Sequence, residues 1–121
     1  MATLLLVDDN AALRDLLEEI LIRHGFRVIS AHGPSDAIEA VRRHDGRIDL
    51  AVLDVVLPQM RCGDCVSELL NVQPGLKLLY MSGYPQDVAS AHGGLRHDGW
   101  FIMKPFTPYA LLEAIKQALE P

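Results

Sequence analysis

Leu4-Leu5-Leu6-Val7-Asp8-Asp9-Asn10 is the stretch that decides the fold. Successive side chains of a strand point to opposite faces of its sheet, so four apolar residues in a row suit a strand covered on both sides. The run stops at two acids, and Asn10 is placed to cap a helix. Beyond it Leu13, Leu16, Leu17, Ile20 and Leu21 recur at i, i+3, i+4, i+7 and i+8, one face of a helix that Gly25 closes. Four more strand-sized apolar runs follow, at Arg27–Ala31, Leu50–Leu53, Leu78–Met81 and Trp100–Met103. Helical spacing lies between and after them: Ala37, Ala40, Val41; Val66, Leu69, Leu70; and Leu111, Ala114, Ile115, Ala118, Leu119 behind Thr107-Pro108, a cap with proline at the first helical position. Pro85–His92 predicts one further helix, closed by Gly93-Gly94 and followed by a polar loop to Gly99. Strands alternating with helices predict an α/β fold, a three-layer sandwich around a five-stranded parallel sheet with right-handed crossovers.

The 121 residues allow one domain, 1–121, with no output domain of ordinary size. Half the residues are hydrophobic and 22% are charged, a globular mixture that excludes disordered and low-complexity classes. Eleven Lys and Arg against 16 Asp and Glu give a net charge of −5, so no direct nucleic-acid contact is expected. No apolar run reaches the ~20 residues of a membrane span, and Met1-Ala2-Thr3-Leu4 leads in without a basic signal region, which predicts a cytoplasmic protein without membrane insertion. Cys62 and Cys65 are too few and too close for a disulfide framework.

In a parallel sheet, ligands bind beyond the carboxyl ends of the strands. Strand one runs into Asp8-Asp9, strand three into Asp54, strand four into Ser82 and strand five into Lys104-Pro105, so four of the five predicted strands deliver a polar or charged residue to that one edge. Gathered carboxylates repel by about 4 kcal/mol per pair at 4 Å in an effective dielectric near 20. Lys104 offsets part of that, and the surplus suits Mg²⁺, which combines one or two carboxylates with waters and a phosphate. The pocket predicted here suits phosphoryl chemistry.

Leu6-Val7-Asp8-Asp9-Asn10, Leu53-Asp54-Val55-Val56-Leu57-Pro58, Met81-Ser82-Gly83-Tyr84 and Lys104-Pro105-Phe106, in that order, resemble the receiver domain of two-component response regulators over essentially the whole chain. The resemblance implies the flavodoxin-like strand order 2-1-3-4-5 and a phosphorylation-dependent signalling switch rather than a turnover enzyme. Asp54 would accept a phosphoryl group from a phosphohistidine on a histidine kinase or phosphotransfer protein. Asp9, Asp8, Asp54 and the backbone carbonyl of Val56 would hold Mg²⁺. Lys104 would pair with Asp54 and then with a phosphoryl oxygen, Ser82 would bond another, and a cis bond would precede Pro105. Phe101, three residues before Lys104, would be the switch aromatic, and without a tyrosine's hydroxyl it is expected to favour an inward orientation. The Pro85–His92 helix, the fifth strand and the last helix would form the face that meets a downstream protein target, the chain being a monomer or a weak phosphorylation-dependent dimer. Met-Ser-Gly-Tyr and Phe-Ile-Met-Lys-Pro-Phe look most like receivers of hybrid sensor kinases, leaving a stand-alone regulator and a hybrid-kinase receiver both open.

The sequence departs from the family pattern after Pro58, where a glycine is expected four residues on but Cys62 stands there and Gly63 follows, predicting a loop shifted by one residue. Val56 and Tyr84, two beyond Asp54 and two beyond Ser82, are not water-activating bases, and their bulk is expected to shield the phosphoryl group. Cys62-Gly63-Asp64-Cys65 supports a rival reading as a redox pair, although Asp64 between the sulfurs should raise the thiol pKa. Zinc would need two further ligands. A haloacid-dehalogenase-like phosphatase would want an acid where Val56 stands, and a phosphorylation-independent interaction module on the same fold is a further alternative. His24, His32, His44, His92 and His97 fall at predicted helix ends and loops and are expected to be surface residues.

Overall fold

In the computed structural model, which describes residues 2–56, 59–83 and 99–120, the opening run is strand β1, Thr3–Val7. Then come helix α1 (Ala11–Arg23), β2 (Arg27–Ala31), α2 (Pro34–Arg43), β3 (Leu50–Asp54), α3 (Cys62–Val72), β4 (Lys77–Ser82), β5 (Trp100–Met103) and α4 (Pro108–Leu119). All strand pairs are parallel, in the order β2-β1-β3-β4-β5. The chain therefore starts near the middle of the sheet, builds outward to β2, and crosses β1 to lay down the other half. The order reverses at β1 and β3, which puts the switch point between Asp8 and Asp54.

The period of two in β1 divides the interior. Leu4 and Leu6 join Leu50, Val52, Leu79 and Met81 under α1 and α4, whose Leu17, Leu21, Leu111 and Ile115 complete that layer. Leu5 and Val7 join Ala51, Leu53, Leu78 and Tyr80 under α2 and α3, with Ala37, Val41, Cys65, Val66 and Leu69. Burying a Leu or Val side chain contributes roughly 1.5–3 kcal/mol, so both layers resist a register slip that would exchange them.

The predicted caps form. Asn10 Oδ1 accepts from Leu13 N at 3.1 Å, Thr107 Oγ1 accepts from Ala110 N at 3.0 Å, and Gly25 takes φ +91° just past α1. Two strands run past their apolar stretches, because the ladder pairs backbones and ignores side-chain polarity: β3 includes Asp54, opposite Met81, and β4 includes Ser82, opposite Met103. At the other edge Gln73, the C-cap of α3, brackets Ile48, accepting from its N–H at 3.0 Å and donating to its carbonyl. The predicted helix over Pro85–His92 lies outside the described residues, as do Leu57, Pro58, Tyr84, Gly93-Gly94, His92 and His97.

Candidate functional site

Three strand ends bring the acids together. Asp8 directly follows β1, where its N–H still donates to Ala31 O at 3.2 Å, and it is 0% exposed. Its Oδ1 accepts from Asn10 N at 2.9 Å, so the residue that caps α1 also orients the acid before it. Asp54 ends β3, 8% exposed, with Oδ1 accepting from Val56 N at 2.9 Å. Asp9 is exposed at the rim, and carboxylate oxygens of Asp8, Asp9 and Asp54 lie within 4.8 Å of one another.

Lys104 enters from β5. Its N–H donates to Ser82 O at 2.7 Å, and its ammonium donates to Asp54 Oδ2 at 2.7 Å and reaches Asp8 Oδ2 at 3.4 Å. The Lys104–Pro105 bond is cis, as expected. Ser82 is fully buried at the end of β4, one strand from Asp54. All the side chains predicted for the pocket, Asp8, Asp9, Asp54, Ser82 and Lys104, thus lie at one edge of the sheet.

The charges do not cancel. Burial pushes the Asp54 carboxyl above its ordinary range; the Lys104 hydrogen bond, the Val56 N–H and the lysine's charge pull it back without prevailing, and the Asp8 anion adds to the rise. Burial alone would lower Lys104, but its bond to Asp54 and the charges of Asp54 and Asp8 outweigh it and hold the ammonium above its ordinary value. Among the described residues, Lys104 is the firmly charged cation that touches these carboxylates, and it faces a surplus of acid. An all-oxygen donor set of this charge fits a small hard divalent cation.

Arg14 was not singled out by the sequence reading, yet its Nη1 donates to the backbone carbonyl of Asp8 at 2.8 Å. The signal was available: Arg14 lies four residues after the N-cap Asn10, near a helix N-terminus whose dipole disfavours cations. A helical side chain also leans toward the helix N-terminus, here toward Asp8.

One expectation needs correction, and the rival reading of the cysteines fails. Phe101 is 42% exposed rather than turned inward, its ring stacked on Tyr80 with centroids 5.0 Å apart; on a short strand with Trp100 and Ile102 committed to the opposite layer, it lies on the other face. The cysteine pair is not a poised thiolate. Both cysteines are buried, and the Cys62 thiol is pushed up to about 12 by burial, then by Cys65 and Asp54, while Cys65 is pushed up to about 11 by burial and Glu68. Asp64 is not the cause; it lies 3.5 Å from Arg61 at the surface. In the loop before α3 the left-handed residue is Gln59, at φ 70°, and Gly63 lies buried in the first turn of α3. Val56 is 58% exposed beside Asp54. Of the histidines, His24 and His44 are the C-caps of α1 and α2, and His32 lies 2.9 Å from Asp36 on the exposed surface.

The family pattern described as response regulator receiver domain matches residues 4–116. The chain is 32% identical over 119 residues to the sensor kinase CckA of Brucella abortus (strain 2308), an overlap covering 98% of this chain but 13% of that kinase. It is 28% identical over 117 residues to the chemotaxis protein CheY of Thermotoga maritima, covering 93% of each. A receiver domain protein from Clostridium thermocellum superposes with a TM-score of 0.86 at 21% identity, over 98% of this chain and 94% of that one.

Proposed function

Because this chain belongs to the response regulator receiver family of two-component signalling, we propose that it is a phosphoacceptor switch in which Asp54 receives the phosphoryl group. The observation that carries this reading is the Asp54 carboxylate held at 2.7 Å by Lys104, with Asp8 and Asp9 gathered beside it at the switch point of the sheet. The donor is a phosphohistidine on a histidine kinase or phosphotransfer protein. An Asp54 carboxylate oxygen bonds to phosphorus as the phosphorus–nitrogen bond breaks, and the electron pair of that bond leaves on the imidazole. The product is consumed as a signal, so the protein is an acceptor used once per phosphorylation, not a turnover enzyme.

Each neighbour has a part that follows from its position. Receiver domains bind Mg²⁺ at an acidic pocket, and here Asp8, Asp9, Asp54 and the Val56 carbonyl are the groups that would hold it. When bound, the ion neutralises charge on the transferring phosphoryl oxygens. Lys104 is already on Asp54 and moves its hydrogen bond to a phosphoryl oxygen, while the Ser82 hydroxyl, one strand away, takes another. The transition state is loose, so positioning and charge neutralisation are the main requirements. Val56, exposed beside the acceptor, is the side chain whose bulk would shield the phosphoryl group and slow its hydrolysis.

The signal leaves through the adjoining strand ends. Drawing Ser82 and Lys104 toward a phosphoryl group pulls on two strands already joined by the Lys104 N–H to Ser82 carbonyl bond. Phe101, half exposed on β5 in this state, is the ring whose turn inward would report that movement to a downstream protein. We place this activity in residues 1–121 as one unit, in the cytoplasm, acting as a monomer or a weak phosphorylation-dependent dimer. No helix among the described residues is long and apolar enough to cross a membrane.

The test is incubation with acetyl phosphate and Mg²⁺, read by intact mass. One phosphoryl group per chain is expected, stable in acid and lost in base, and Asp54→Asn should take up none. Equal uptake by that variant would remove Asp54 from the role.

A further inference from the structure

We propose that Arg14 is a positioning residue for the acidic pocket, holding the end of β1 so that Asp8 and Asp9 present their carboxylates to a divalent cation. The inference rests on the phosphoacceptor reading above and adds to it a residue outside the charged set at the strand ends.

The carbonyl that Arg14 binds, at 2.8 Å, belongs to the peptide unit joining Asp8 to Asp9. A peptide unit is planar, so fixing its oxygen fixes the direction in which the chain leaves for Asp9. Asp8 has other anchors, its N–H on Ala31 and its carboxylate on Asn10 N. Among the described residues, no hydrogen bond gives Asp9 an anchor of its own beyond this shared plane. Arg14 itself is half buried, and no carboxylate of the described residues lies within ion-pair distance of its guanidinium.

The surplus acid attracts Arg14, but that attraction does not by itself seat its guanidinium on a backbone carbonyl. Arg14 lies near the N-terminus of α1, where the helix dipole opposes a cation, and close to a pocket suited to a dication, where its charge opposes binding. What Arg14 contributes against both effects is the bond it makes. That conflict gives the proposal a sign. Removing a nearby positive charge should tighten Mg²⁺ binding if Arg14 acts only through its charge; removing a positioning bond should weaken it.

The experiment titrates the full chain and its Arg14→Met, Arg14→Ala and Arg14→Lys variants with Mg²⁺ by calorimetry, with melting temperatures in metal-free buffer as the check on folding. Partners that orient metal ligands are typically worth 10–100-fold in affinity. Arg14→Met is expected to raise the Mg²⁺ Kd about 10-fold, the lower end of that range. Arg14→Ala, the better helix former, should show the same weakening. Arg14→Lys, which keeps a donor and the charge, should recover most of the loss. Binding by the two neutral variants as tight as wild type or tighter overturns the positioning role. Absence of Mg²⁺ binding by wild type would instead overturn the acidic-pocket reading, so the two failures are distinguishable.

Discussion

The pocket around Asp54 and the start of α3 lie close together, and each carries groups with a chemical reputation: three acids and a lysine in one, a Cys-x-x-Cys in the other. Their environments are opposite. The acids keep backbone and lysine donors and an opening at Asp9 and Val56, whereas both sulfurs are sealed in the layer under α2 and α3. A helix N-terminus favours a thiolate, yet desolvation wins here and takes Cys62 to about 12 and Cys65 to about 11. Residue spacing proposes a chemistry; burial and hydrogen-bond partners decide whether it runs.

That contrast can be broken at several points. The largest effect is the loss of phosphate uptake expected in Asp54→Asn, which removal of the cysteines should not reproduce. The Cys62→Ala/Cys65→Ala double variant should be phosphorylated within about 2-fold of wild type, since both thiols sit in the core and leave the acids' donors untouched. A loss comparable to that of Asp54→Asn would tie the cysteines to the site. Next is thiol reactivity. With Cys62 raised from 9.0 to about 12, its thiolate at pH 8 falls roughly a thousand-fold, so alkylation should be at least that much slower in native protein than in denaturant. Fast labelling by mass spectrometry would place the sulfurs in the open.

Stability in alkali gives a smaller signal with a defined sign. A thiol whose folded pKa is raised stabilises the fold fully below the unfolded value of 9.0, and this contribution is lost as pH rises toward the folded values of about 11 and 12. Between pH 9 and 11 the unfolding free energy of wild type in urea should therefore fall relative to the double alanine variant by about 4 kcal/mol, about 2 from each thiol. A constant difference between the two would contradict the buried, protonated thiols. The smallest expected change belongs to the acids. Asp54 is raised by burial, so its ionisation costs stability at neutral pH, and Asp54→Asn should melt higher in metal-free buffer. About 1 kcal/mol corresponds to roughly 4 °C for a domain of this size. A lower melting temperature would mean the bond to Lys104 outweighs the crowding.

Much of the fold was legible because its signals are local. Val7 to Asp8 changes from apolar to acidic at a strand end, Asn10 and Thr107 are cap residues followed by helical spacing, and Gly25 supplies the left-handed exit. The pocket was legible for a related reason, since parallel strands end at one edge and a residue following each run must arrive there. Other features depended on tertiary contacts. Nothing about Gln59 marks it as the left-handed residue of its loop, because glutamine has no preference for that conformation and the surrounding chain imposes it. Phe101 reads as a core aromatic in a four-residue strand, and its 42% exposure follows from which face β5 turns toward the interior. Arg14 was hidden by the apolar stripe of its own helix, which drew attention to Leu13, Leu17 and Leu21.

Trp100 and Phe101 are sequence neighbours on β5, so their side chains leave the sheet in opposite directions. Trp100 packs with the layer under α1 and α4, at the strand end farther from Lys104, about 13 Å away at 3.3 Å per residue. The chain's single indole is thus an optical probe of the wrong side of the sheet for following Phe101. Unfolding of the α1 and α4 layer will change its emission strongly, while a rotation of the neighbouring phenyl ring will leave it nearly silent, and a label or nuclear-resonance signal on β5's other face is the instrument suited to that motion.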